Sequence, residues 1–169
     1  MKNLKKSGML ILVLIMAFVV FTACAKQAPA PTPEPTPTPT PAAIVYNDGT
    51  YTAEQADFDA ETGWKDNVTV TITNGKISAV VLNSTNKDTT KGDKLSEVAA
   101  GNYDMVAGGA KSAWDVQAKA IQDYIVSTQD TTSIAFDAAG KSDAISGATI
   151  SYGHFFDLVN EALAKAVKK

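Results

Sequence analysis

Arginine is absent from the 169 residues, so all 15 basic side chains are lysines. Cysteine occurs once, at Cys24, and histidine once, at His154. A single cysteine excludes an intrachain disulfide and a cysteine-based metal centre. Proline is missing after Pro41. The only long apolar run is Met9 to Phe21, which is short for a membrane-spanning helix. Beyond the leader, 12 lysines face 18 acidic residues. An acidic surface without arginine argues against nucleic acid and against anionic lipid headgroups as partners. The carboxylates are spread along the chain without metal-ligand spacing, and no nucleophile, base and orienting group recur together. No internal repeat is evident, so one site is expected.

The first 43 residues read as targeting and tether. Lys2, Lys5 and Lys6 precede the apolar run, the layout of a secretory signal. The run ends in Phe21-Thr-Ala-Cys24, which resembles a bacterial lipobox with Phe in place of the usual Leu. That layout implies a signal peptide over residues 1–23, cleavage before Cys24 and lipidation of its thiol; an uncleaved signal anchor is the alternative. Either fate places the rest of the protein outside the cytoplasmic membrane. All seven prolines lie at every second position from Pro29 to Pro41. Restricted φ angles and few large apolar groups make residues 24–43 an extended, polyproline-II-like tether. The 16 residues Ala28 to Ala43 reach roughly 50 Å at about 3.1 Å each. A spacing stalk and a passive linker are both compatible with that composition.

Residues 44–169 are enough for one core of ordinary size. Tyr46-Asn-Asp-Gly-Thr-Tyr-Thr52 opens with a turn and enters a β-prone stretch. Val68, Val70 and Ile72 alternate with threonines, the period of a half-buried strand. Asn74-Gly75 is a strong hairpin signal, and Lys76 to Leu82 is the returning strand. A polar stretch from Asn83 to Gly109 is expected as loop, with a short helix near Leu95 to Ala100. Trp114, Ala118, Ile121 and Ile125 recur at helical spacing within Lys111 to Thr128 and form one core-facing stripe. Thr132 to Phe136 is expected as a further strand beside the hairpin. Phe155, Val159, Ala162, Leu163 and Ala166 mark the apolar face of a last helix over about 151–167. The order predicts a single α+β domain, a small antiparallel sheet with helices packed on one face.

Between the expected fourth strand and the last helix lies Asp143-Ala-Ile-Ser-Gly-Ala-Thr149. Gly147 can take φ > 0 and lets a ligand approach the backbone. A helix N-terminus just beyond Thr149 would favour an anion such as phosphate. The plainer reading is a glycine turn with Thr149 or Ser151 as helix N-cap. The seven residues, followed by Ile150-Ser151, are similar to the flavinylation motif of the FMN-binding domain family. That family includes the flavin-carrying subunits of the Rnf complex and of the sodium-translocating NADH:quinone oxidoreductase, and many small surface lipoproteins. The resemblance spans about Asp48 to the C-terminus, but only the motif is sharp.

The resemblance implies that Thr149 is esterified to the phosphate of FMN by a separate flavin transferase. It implies that Ser146 and nearby backbone N–H groups donate to phosphate oxygens, and that Gly147 and Ala148 keep the approach clear. Asp143 would brace the turn or assist a metal during transfer. Lys94, Tyr103 and Met105 roughly match a Lys…Tyr…Met stretch of the family. They would pack against the isoalloxazine ring or, on the plainer reading, cover a core edge. Trp114 reads as core, or as a ring contact. His154 reads as a helix residue, or as a donor to the phosphate. The whole implies a membrane-anchored electron carrier rather than a catalyst with its own substrate. It would take electrons from a membrane redox donor and pass them to a protein or external acceptor. The alternatives are a surface lipoprotein that uses the domain without flavin, and a noncovalent FMN site.

Overall fold

The computed structural model describes residues 44–168; the leader, Cys24 and the proline-rich tether lie outside them. Three strands, β1 (Gly49–Glu54), β2 (Trp64–Thr73) and β3 (Lys76–Asn86), form an antiparallel sheet in the order β1-β2-β3. Three helices follow, α1 (Lys94–Ala99), α2 (Trp114–Thr128) and α3 (Gly153–Ala166). The protein is an α+β domain, as its hydrophobic patterning predicts.

The β2–β3 hairpin turns at Asn74 and Gly75, whose φ angles of 53° and 73° match the two left-handed positions of a type I′ turn. Asp48 secures the turn from outside: its carboxylate accepts from Asn74 N at 3.0 Å and Gly75 N at 2.8 Å. These backbone donors hold the Asp48 carboxyl below the usual carboxylate range. Strand alternation then sends Trp64, Val68, Val70 and Ile72 of β2 to the helix side, with Val80 and Leu82 of β3 beside them. Full burial of each aliphatic side chain contributes roughly 1.5–3 kcal/mol.

Helix α3 packs across β1 and β2, and α2 packs against β3. Their buried stripes, Ala118, Ile121 and Ile125 from α2 and Phe155, Val159, Ala162 and Leu163 from α3, complete one core. Asp93 caps α1 by accepting from Ser96 N. The end of α3 is tied to the start of the domain, because Asn47 N donates to the Ala166 carbonyl at 2.8 Å. Among the described residues, no helix is long and apolar enough to cross a membrane.

The expected strand over Thr132–Phe136 does not form; the segment is irregular. Two local features explain this. Gln129, left-handed at φ 58°, turns its amide onto the edge of β3, accepting from Ile77 N at 2.8 Å and donating to Ile77 O at 2.9 Å. The edge groups that a fourth strand would use there are taken. Asp130 then accepts from Thr132 N at 2.8 Å and Ser133 N at 3.1 Å, bending the backbone into a turn. The apolar content of the segment is still used: Ile134 and Phe136 are half-buried against the core.

Candidate functional site

The Asp143–Thr149 segment is a loop pinned by two small apolar anchors. Ile145 and Ala148 are buried, whereas Asp143, Ser146, Gly147 and Thr149 are exposed. Ala148 N donates to the Ile145 carbonyl at 3.2 Å, closing a four-residue turn. Gly147 is its third residue, with φ at +87°, the conformation a type II turn requires there. A side chain on Gly147 would meet nothing within 4 Å, so the backbone at the turn tip is open to a visiting group.

Thr149 is held from beneath by Gln117, which is fully buried in α2. Gln117 Oε1 accepts from Thr149 N at 2.8 Å, from Ile150 N at 3.1 Å and from Thr149 Oγ1 at 3.1 Å. Gln117 Nε2 donates to the Ser112 carbonyl at 3.0 Å. Sequence reasoning missed this residue. Its signal was a polar side chain at i+3 from Trp114, inside the apolar stripe of α2.

Helix α3 starts at Gly153 with Tyr152 as its N-cap residue, so neither Thr149 nor Ser151 caps it. The Gly140 carbonyl accepts from both Tyr152 N and Gly153 N at 2.9 Å, and the Ser151 hydroxyl donates to the Ala139 carbonyl. Tyr152 is buried, its hydroxyl donating to the Ser142 carbonyl at 2.9 Å and its ring meeting Phe136 edge-on. These contacts bind 139–142 to the helix start and delay the first helical turn beyond Thr149. The helix N-terminus expected immediately after Thr149 therefore lies further along the chain, at Tyr152–Gly153.

Ser151, two residues after the loop, lines a pocket of about 320 Å³ together with Trp64, Asp66, Lys94 and His154 among others. Lys94 opens α1, and its ammonium is enclosed by three rings: Trp64 at 4.8 Å, Trp114 at 5.2 Å and Tyr103 at 5.4 Å from the centroids. Such contacts favour a cation that has lost water. Asp66 continues the inward row of β2 and pairs across the sheet with Ser84 of β3, whose hydroxyl donates to it. Lys94 Nζ lies 3.8 Å from the same carboxylate and His154 Nε2 lies 2.6 Å from it. The buried His154 Nε2 is nevertheless out of line for a straight hydrogen bond.

Burial opposes the charge on Asp66, but the His154 and Ser84 contacts and the Lys94 charge outweigh it, leaving its pKa below the usual value. Burial lowers the pKa of Lys94 against the pull of Asp66 and Asp59, and raises that of Tyr103. Of the residues singled out from sequence, Lys94, Tyr103, Trp114 and His154 thus meet around one polar centre. Met105 is half-buried against the core instead. Asp66 and Ser84 were legible only as polar residues standing where a strand alternation calls for apolar ones. Among the described residues, no group of three or more His, Cys, Asp or Glu is placed to hold a metal ion.

The sequence pattern of the FMN-binding domain matches residues 63–164. A Clostridium thermocellum protein of known solution structure is 49% identical, with 70% of this chain and 90% of that chain covered at a TM-score of 0.54. A Clostridium perfringens protein of known crystal structure shares the fold at 24% identity and a TM-score of 0.55, covering 72% of this chain and 88% of that one. No curated protein matches the chain. The domain match, over more than half of the chain, defines an FMN-binding class. The chain belongs to the FMN-binding domain family.

The residues present suit FMN. An exposed turn with open space at Gly147, followed by the exposed residue Thr149, can meet a phosphate. The neighbouring pocket offers aromatic surface, a cation and the unaligned His154 Nε2.

Proposed function

We infer that the protein is an extracytoplasmic electron carrier, anchored through lipid on Cys24, whose FMN is joined to Thr149 by a phosphoester. The observation that carries this reading is the exposed residue Thr149, its hydroxyl held by Gln117 at the end of the Ser146-Gly147-Ala148 turn. Ser151, two residues on, lines the pocket of Trp64, Lys94 and His154. Thr149 supplies the linking oxygen. Ser146 and the turn backbone bind phosphate oxygens, Gly147 and Ala148 leave the approach open, and Asp143 stands exposed at the entrance to the loop.

The bound flavin supplies one- and two-electron chemistry; the protein supplies position and electrostatics. Lys94, enclosed by rings and opposed by Asp66, sets a local positive charge at one wall of the pocket. Covalent attachment suits a compartment into which free cofactor is diluted, because reversible occupancy depends on free ligand relative to Kd. The partners are a flavin transferase for loading, a membrane redox donor, and a protein or external acceptor. The role read here is that of a carrier rather than of a catalyst with its own substrate.

The deciding experiment is intact mass spectrometry of the mature protein from its native host, with flavin fluorescence measured after denaturation. The expected result is an added mass of FMN less one water, on the peptide that contains Thr149. Flavin released by denaturation would place the cofactor in the same domain without the ester. An unmodified mass from cells that possess the transferase would overturn the carrier reading.

A further inference from the structure

We propose that Gln117 is the positioning residue for flavin attachment: its buried side-chain carbonyl aims the Thr149 hydroxyl for reaction. The inference rests on Thr149 being the attachment point. The orientation of the amide is determined by its neighbours. Two backbone N–H groups, of Thr149 and Ile150, face one end, and the Ser112 carbonyl faces the other. Only an oxygen satisfies the first end and only an NH₂ the second. Thr149 Oγ1 must therefore donate its proton inward to Oε1. Its lone pairs then point away from α2, toward the exposed side of the loop from which a phosphoryl group arrives.

The same geometry tolerates the product. A carbonyl oxygen has two lone pairs, yet Gln117 Oε1 receives three donors. Esterification removes the hydroxyl donor, one of the two contacts at 3.1 Å, and leaves the two backbone donors in place. The loop is thus held in one shape before and after modification. An alcohol condenses with a free phosphate monoester unfavourably in water, so the donor must be an activated flavin nucleotide, a phosphoric anhydride. In the step the Oγ1–P bond forms and the anhydride P–O bond breaks. The second nucleotide leaves as its monophosphate, and the hydroxyl proton, freed from Oε1 by rotation about the Cβ–Oγ1 bond as the Oγ1–P bond forms, passes to a base of the transferase. No redox change occurs, and Gln117 takes no proton.

The test measures flavin transfer to the full mature chain by a flavin transferase, with flavin adenine dinucleotide as donor. Wild type is compared with Gln117→Met, which keeps the length and the helix but not the acceptor. Loss of aim is expected to lower kcat by about 10–100-fold with KM for the acceptor chain unchanged. Near-UV circular dichroism confirms that the variant is folded. A second measurement requires no change at residue 117. In isotopically labelled wild type, the Gln117 side-chain amide resonances are expected to shift on flavin attachment, and likewise in Thr149→Val. Equal transfer rates in wild type and Gln117→Met, or Gln117 resonances that do not move, would overturn the proposal. Wild type that accepts no flavin at all would instead overturn the reading on which it rests.

Discussion

His154 Nε2 lies 2.6 Å from Asp66 Oδ2, joining the first turn of α3 to the start of β2 at a half-buried polar centre. The two residues are 88 positions apart, and neither has a local reason to face the core. With Ser84 and Lys94 they occupy the end of the sheet where the apolar row of β2 gives way to charge.

Acid should loosen this centre. The Asp66 pKa is lower in the folded protein than the ordinary 3.8, so its contribution is fully present above the unfolded value. That contribution is lost as pH falls through the folded one. Asp66→Asn is expected to cost about 3 kcal/mol at neutral pH by leaving the Lys94 ammonium buried without its counter-charge. It should also flatten the acid limb of the stability profile. Urea unfolding between pH 2 and 7 measures both, and an unchanged acid limb would sink the assignment.

Gln129 seals the exposed edge of β3 through both backbone groups of Ile77. Gln129→Ala should remove three hydrogen bonds, the two to Ile77 and one to the Val126 carbonyl, and cost about 1–2 kcal/mol. Gln129→Gly relaxes the left-handed backbone but cannot restore the amide, so it should recover only part of that loss. Hydrogen exchange at Ile77 N–H is the direct readout, with faster exchange expected in both variants.

Gly153 leaves little room for a side chain. An added Cβ would lie 3.2 Å from Phe136 Cγ and 3.3 Å from Gly140 Cα. Alanine in a helix gains up to about 1 kcal/mol over glycine, but overpacking costs about 1–3 kcal/mol. The propensity gain is small at a first turn, so Gly153→Ala should destabilise the protein by about 1 kcal/mol. A raised Tm would show that the 136–140 segment yields easily.

Under the proposed phosphoester, the Thr149 hydroxyl is the decisive group. Thr149→Ala should abolish attached flavin while leaving the fold intact, because Gln117 keeps both backbone donors. Thr149→Ser keeps a hydroxyl there and should retain loading at a reduced rate, since serine has more rotamers at χ1 than a β-branched residue. Mass spectrometry of the loaded proteins separates the two outcomes. Full loading of Thr149→Ala would move the attachment elsewhere.

Local chemistry determined much of this protein in advance. Asn74-Gly75 selects a tight hairpin by backbone sterics alone, and the alternation Val68, Val70, Ile72 decides which face is buried. The apolar stripes of α2 and α3 follow from a 3.6-residue period, and the seven-residue motif carried the family. All of these depend on residues close together in the chain. What only the tertiary structure decided depends on groups far apart. Thr132–Phe136 reads as a strand by composition, but a strand needs an edge, and Gln129 already occupies it. The start of α3 was misplaced because the carbonyl that caps it belongs to Gly140. Gln117, Asp66 and Ser84 break otherwise apolar patterns. A break in a pattern marks a buried polar residue without naming its partner, because hydrogen bonds are satisfied in space and not along the sequence.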